Sequence, residues 1–438
     1  MPLLPDTEAR VAELVGTAQA QGRAPSLILG VVRDGELAYV ASAGSTPDPT
    51  PDTQYRIGSI TKTLTATLIM QLRDEGRLEL DDLLYRHIPG APVGTVSIRQ
   101  LLGHVSGLQR EPEGAWWERA PGTSLDVLLE GLAPHMLVHR PFRTFHYSNL
   151  AYALLAGVAA RITGEPWAEL VGKRLLAPLG MTRTTYQCEA PFAPGYVVHP
   201  WHGTLREEPR HDAGAMAPAG QLWSTVDDLA RWAAFLADPA PEVIDPATLD
   251  AMTAPVAIGD LESWTAGHGL GFQLWRRGDR VLVGHSGSMP GYVAMLVVHR
   301  KSGTGVVSFV NSYNPKAGML GLCGDVIDEV LDREPDTPAP WQPAAPAPPE
   351  IAELCGRWWF MGLEWEVTYD AEVAELVFRY VERPAPPWRF APEAADRWRG
   401  VGGMNDGELL RVRRTPGGAV AMLDIATFEF TRDPMGER

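Results

Sequence analysis

Apolar residues recur with a helical period over 6–21, an amphipathic helix. Two β-type runs, 26–32 and 36–43, then flank Asp34-Gly35, a strong hairpin signal. A Pro- and Thr-rich loop over 45–53 leads into an apolar helix that starts around Ser59, runs to about Glu75 and ends at Gly76. Short helices are predicted over 80–88 and 97–102. Residues 109–146 have no clear period, and longer helices return over 149–163, 167–176 and 225–236. Residues 187–215, rich in Pro, Gly and His, read as a long loop.

Beyond residue 269 the period changes to two. Runs over 269–275, 280–284, 292–299 and 305–311 alternate like antiparallel strands, and 318–331 reads as a closing helix. Strands at both ends of this region, with helices between, predict an α+β domain over 1–333: one antiparallel sheet flanked by helices, plus a helical lobe. A Pro/Ala-rich linker over 334–350 follows. Residues 351–438 then hold short aromatic-rich alternating runs, 355–369, 375–384, 387–390, 397–400, 408–414 and 419–432, which predict a small antiparallel β-barrel.

Composition narrows the function classes. The chain has 438 residues, 45% hydrophobic and 21% charged, ordinary for a globular protein with a sizeable core. Its net charge of −16 disfavours a nucleic-acid or anionic-membrane partner. Three distant cysteines, Cys188, Cys323 and Cys355, make neither a disulfide framework nor a zinc spacing. His135 and His139 stand four apart but lack the Glu that follows the first His of a metalloprotease helix, so no metal is expected there. The loop histidines His199, His202 and His211 read as solvated. The amino terminus, Met1-Pro2-Leu3-Leu4-Pro5-Asp6, has no basic region followed by an apolar core, and no run is long enough to cross a bilayer. These features predict a cytoplasmic location.

The chemistry centres on Ser59-Ile60-Thr61-Lys62. A three-residue separation puts hydroxyl and amine nearly on one helical face, one turn apart. Of the four lysines, Lys62, Lys173, Lys301 and Lys316, only Lys62 has a serine three residues before it. A helix start adds N–H groups and dipole potential that favour an oxyanion at Ser59. A plain surface helix with a lysine near its start would carry the same tetrad, so two later stretches decide. Tyr147-Ser148-Asn149 opens the helix at 149, and His285-Ser286-Gly287 follows the apolar run 281–284.

Together, Ser59-x-x-Lys62, Tyr147-x-Asn149 and His285-Ser286-Gly287 resemble the three motifs of the serine β-lactamase and penicillin-binding-protein superfamily, in its class C branch with esterase and peptidase relatives. Leu101-Leu102-Gly103-His104-Val105-Ser106-Gly107-Leu108, Pro178-Leu179-Gly180-Met181 and the stretch 219–229 are similar to segments of the same group. The resemblance spans roughly residues 10–332 and implies a β-lactamase/transpeptidase-like fold. Residues 351–438 resemble the lipocalin-like domain appended to some members. The implied roles are Ser59 as nucleophile, Lys62 and Tyr147 as proton carriers, and Asn149 as the group that orients the substrate amide and Lys62. The backbone N–H groups of Ser59 and Ser288 would form the oxyanion hole. Gly287 and the pair Trp116-Trp117 would line the substrate; core packing is the competing reading for the tryptophans, and an N-cap for Asn149.

His285 departs from the common pattern. Many members carry Lys there, facing a substrate carboxylate, and a His holds a carboxylate less firmly at pH 7. The whole layout resembles stand-alone penicillin-binding-protein-type thioesterases, which close nonribosomal peptides into head-to-tail lactams from a peptidyl thioester ending in a D-residue. That resemblance implies no cofactor, a peptide, ester or thioester substrate, and a carrier protein of a peptide synthetase as a possible partner. A cytoplasmic esterase or D-stereospecific peptidase, a silent ligand-binding module and an exported cell-wall carboxypeptidase are the competing readings.

Overall fold

The computed structural model describes residues 2–313, 318–335, 340, 343, 346–382 and 384–435. The chain divides into two compact units, Met1–Asp336 and Thr337–Arg438. Of the linker expected over 334–350, residues 336–339, 341–342 and 344–345 lie outside the described residues.

The first unit is built on an antiparallel eight-stranded sheet. Its strands are β1 (Ser26–Arg33), β2 (Glu36–Gly44), β3 (Ala257–Ile258), β4 (Ala266–His268), β5 (Gln273–Arg277), β6 (Arg280–Met289), β7 (Tyr292–His299) and β8 (Thr304–Val310), in the order β2-β1-β8-β7-β6-β5-β4-β3. β1 is buried along its whole length, and its period-2 side chains feed two cores. Leu27, Leu29 and Val31 pack with helices α1 (Pro5–Gly22) and α5 (Met319–Arg333). Ile28 and Val32 face the larger core, with α2 (Thr61–Asp74), α3 (Asn149–Thr163) and α4 (Val226–Ala237). Burying each such aliphatic side chain contributes roughly 1.5–3 kcal/mol. A hydrogen bond from Trp232 Nε1 to Thr63 Oγ1, 3.0 Å, ties α4 to α2 inside that core.

Local chemistry explains the helix ends. The Ser148 hydroxyl accepts the N–H of Ala151 at 3.1 Å and caps α3. The cap is therefore Ser148, and Asn149 is free for other work. Thr225 caps α4 through the N–H of Asp228. The helix expected over 80–88 shrinks to Leu84–His87, because Leu84 N and Tyr85 N bond to the carbonyls of Val96 and Gly94 rather than to a preceding turn. The 187–215 loop holds one small hairpin, Tyr196–Val198 with Leu205–Glu207.

The sixth strand is longer than its apolar run predicts. It passes through His285, Ser286, Gly287 and Ser288 to Met289, because β7 supplies partners along the whole stretch: His285↔Leu296, Gly287↔Ala294 and Met289↔Tyr292. On its other side, pairing with β5 stops at Gly284↔Gln273. The motif therefore lies on a strand edge that β5 leaves uncovered.

The second unit is a closed eight-stranded antiparallel barrel: β9 (Gly356–Phe360), β10 (Leu363–Asp370), β11 (Glu375–Tyr380), β12 (Trp388–Ala394), β13 (Arg397–Gly400), β14 (Leu409–Arg414), β15 (Val420–Ile425) and β16 (Phe428–Thr431). Trp359↔Thr431 closes it. Trp358, Val367, Phe378, Phe390, Leu423 and Phe430 fill the interior. The runs 355–369 and 419–432 are each two strands. Their hairpins turn at Met361-Gly362 and Ala426-Thr427, with positive φ at all four residues.

Candidate active site

The candidate constellation starts at a turn. Ser59 sits in the 3-10 turn Gly58–Ile60 that runs directly into α2. Gly58 has φ +52, and a Cβ there would lie 2.5 Å from Ser288 N. From the other side, a Cβ on Gly287 would lie 1.9 Å from the carbonyl oxygen of Ile57. Two glycines thus let the uncovered edge of β6 press against the Ser59 turn. The backbones of Ser59 and Ser288 come to one place for that reason.

Lys62 follows one turn later. Its Nζ lies 3.0 Å from Ser59 Oγ and donates to the Ala219 carbonyl at 2.6 Å. The side chain is 0% exposed, so the charged form loses its hydration, and its pKa is lowered to about 7. Glu111 and Glu118 oppose that shift and Arg110 adds to it. Glu118 is itself pushed above the usual carboxylate range, first by burial and then by Glu111.

Tyr147 enters from the residue before the α3 cap. Its phenol hydrogen-bonds the Ser59 side chain, and Lys62 Nζ stands 5.0 Å from its ring centroid. Burial pushes its pKa well upward, so the phenol keeps its proton at neutral pH. Asn149, on the first turn of α3, donates from Nδ2 to Glu111 Oε1 at 2.8 Å. Its Oδ1 is buried with no hydrogen-bond partner among the described residues.

His285 lies 6.1 Å from Tyr147, ring to ring. Its Nδ1 donates to the Ser286 carbonyl at 2.5 Å, which leaves Nε2 as a lone pair, buried and unpartnered among the described residues. Burial first, then Lys62 and His268, hold it neutral. In this tautomer His285 presents an unpaired acceptor at Nε2, where a lysine would present a donor.

The tryptophan pair divides. Trp117 is 6% exposed, packs in the larger core and donates from Nε1 to Glu111 Oε2 at 2.7 Å. Trp116 is 53% exposed, with the Arg119 guanidinium 4.8 Å from its ring. Ser59, Lys62, Tyr147, Asn149, His285, Gly287 and Ser288 thus converge, Trp117 stands behind Glu111, and Trp116 points outward. Sequence reasoning missed Glu111, Glu118, His268 and the Ala219 carbonyl. Glu111 and Glu118 come from the stretch without a period, and a backbone oxygen leaves no mark in a sequence. His135 pairs with Glu113 at 2.7 Å, and no group of three potential ligands is placed to hold a metal ion among the described residues.

Comparison with known proteins bears on the family and the fold. The family described as Beta-lactamase matches residues 11–321, and a domain of unknown function, DUF7586, matches 347–432. "Beta-lactamase-like protein 2" of Dictyostelium discoideum is 28% identical over 280 residues, 59% of this chain and 50% of that protein. This chain therefore matches about half the length of that curated relative. Among solved structures, a D-stereospecific amidohydrolase from Streptomyces sp. is 27% identical with a TM-score of 0.64, covering 74% of this chain and 98% of its own. SurE with D-Leu is 26% identical with a TM-score of 0.58, covering 98% of this chain and 100% of its own. With its three motifs brought together on a sheet flanked by helices, the chain belongs over residues 11–321 to the Beta-lactamase family.

Proposed function

We propose that the protein is a serine acyltransferase that works through a Ser59 acyl-enzyme on substrates whose acylating residue has the D configuration. The observation that carries this reading is the buried amine of Lys62, 3.0 Å from Ser59 Oγ, where burial lowers its pKa to about 7. A serine hydroxyl is a weak nucleophile until a neighbouring base takes its proton. Neutral Lys62 takes that proton as Oγ attacks the acyl carbon. The N–H groups of Ser59 and Ser288 hold the oxyanion; losing one such donor costs about 10²–10³ in rate. As the tetrahedral adduct collapses, the Tyr147 O–H protonates the leaving group, and the Lys62 ammonium returns a proton to Tyr147. Asn149 Oδ1 accepts a substrate N–H, and Trp116 offers an outer wall.

The D configuration draws support from two solved relatives, a D-stereospecific amidohydrolase and a SurE complex that contains D-Leu. For the second step we favour attack by the peptide's own amine, which gives a macrolactam. Lys62, Asn149 and His285 are buried around the half-buried Ser59, so a tethered amine has the advantage over bulk water. A peptidyl thioester on a carrier protein fits this reading. Hydrolysis is the second reading, favoured by the amidohydrolase likeness.

Linear peptidyl thioesters that differ only in the chirality of the last residue test the proposal. Parent protein with the D-form is expected to show a transient Ser59 adduct and a product at the lactam mass. Ser59→Ala is expected to lose both, with kcat down by at least about 10⁴. A product heavier by one water supports the hydrolytic reading. No adduct on Ser59, or equal turnover of the L-form, overturns the proposal.

A further inference from the structure

The segment Leu101–Leu108 takes no part in the mechanism above, yet it is wired into the site. Leu102 O accepts both the Tyr152 hydroxyl at 3.0 Å and Gly271 N at 3.2 Å. Val105 O accepts Phe142 N at 2.8 Å. His104 sits at the middle, 0% exposed, with φ +56. That is a left-handed conformation at a residue with a Cβ, which a fold keeps only where its surroundings impose it.

His104 grips the backbone on both sides of Tyr147. Its carbonyl accepts the N–H of His146 at 2.8 Å, and its Nδ1 accepts the N–H of Ser148 at 3.0 Å. Its ring lies 4.3 Å from the Tyr147 ring, tilted by 31°. The Ser148 N–H can only donate, so Nδ1 holds the lone pair and Nε2 holds the proton. Nε2 is buried with no hydrogen-bond partner among the described residues. The His268 ring stands 4.7 Å away, edge-on. His268 donates its own Nδ1 proton to the Gly269 carbonyl at 2.8 Å and keeps its lone pair on Nε2. His285 is the next ring, 6.0 Å from His268.

We propose that His104 is a positioning residue for Tyr147: through its Nδ1 and its carbonyl it holds residues 146–148 so that the phenol stays on Ser59. The inference rests on the acyl-enzyme reading. It predicts that the acceptor at Nδ1, rather than the bulk of the ring, is what acylation requires.

The test measures the second-order rate at which a fluorophosphonate labels Ser59, together with the thermal midpoint. Asn in place of His104 keeps an acceptor where Nδ1 stands and tolerates a positive φ. Gln keeps more of the volume but moves the acceptor outward. His104→Asn is expected to label within about fivefold of the parent, while His104→Gln and His104→Ala fall by about 10². In a Tyr147→Phe background the His104→Ala loss is expected to shrink below about threefold, because the group being positioned is gone. Equal rates for Asn and Gln, or an undiminished His104→Ala loss in the Tyr147→Phe background, would overturn the role. If His104→Ala does not fold, the contrast between Asn and Gln still decides. Failure of the parent itself to label would instead strike the acyl-enzyme reading.

Discussion

Lys62 shows how one side chain acquires its chemistry from where it is buried. Desolvation takes its pKa from the ordinary 10.5 to about 7, and the acids Glu111 and Glu118 keep it from falling further. In the mechanism proposed above Lys62 is the base and must be neutral. Acylation is therefore expected to decline as pH falls through about 7 and to level off above it, and a pH profile of kcat/KM checks this. Lys62→Arg, which cannot give up its proton at these pH values, is expected to lose acylation by about 10² or more. The same group bears on stability with a definite sign. Between about 7 and 10.5 the unfolded chain binds the proton that the folded chain has released, so this residue makes folding more favourable as pH rises through that window. At this scale the sequence is most informative where spacing carries meaning: Ser59, Lys62, Tyr147, Asn149 and His285 stand in recognisable motifs, and the fold brings them close together. It was silent on Glu111, which bonds both Asn149 and Trp117, because a lone carboxylate in a stretch without a period has no signature.

Elements were legible where period and punctuation agree. Asp34-Gly35 gave the first hairpin, and α3 ends at Gly164 in the left-handed conformation its composition implies. The barrel shows the limit. The Met361-Gly362 turn has one glycine, and the Ala426-Thr427 turn has none of the usual turn residues, so each hairpin reads as a single strand. Thr427 adopts φ +79, costly for a β-branched residue, and its N–H bonds to Asp424 Oδ1 at 3.1 Å. Replacing Ala426-Thr427 by Asn-Gly is expected to stabilise this hairpin by about 1 kcal/mol, read as slower hydrogen exchange at the amides of 420–431. Unchanged exchange would mean that packing, not turn conformation, sets the local stability. The length of β6 was hidden for another reason. His-Ser-Gly-Ser is not an apolar run, and only pairing with β7 makes it strand.

Over the whole molecule, each unit carries its own core. The two clusters of the first unit share no residue with the aromatic cluster of the barrel. The amidohydrolase structure covers 74% of this chain and 98% of its own length. A chain truncated after Pro335 is accordingly expected to keep a cooperative unfolding transition and to label Ser59 within about threefold of the parent rate, as for a domain with its own core. Loss of labelling with the transition intact would assign the barrel a part in the chemistry. No helix among the described residues is long and apolar enough to cross a membrane.

The first strand of the large sheet lies between its neighbour in sequence and a strand almost three hundred residues away: β1 pairs with β2 and β8, and Leu27 faces Val310. Contacts so remote along the chain close slowly, because a long loop must be ordered before the sheet rewards it. During synthesis, Ser59 emerges from the ribosome long before the strand edge that carries Ser288. A nascent chain stopped short of residue 310 holds Ser59 and Lys62 without the complete sheet that sets the Ser288 backbone against them. The site is thus complete only once the sheet has closed, near the end of translation of its own domain.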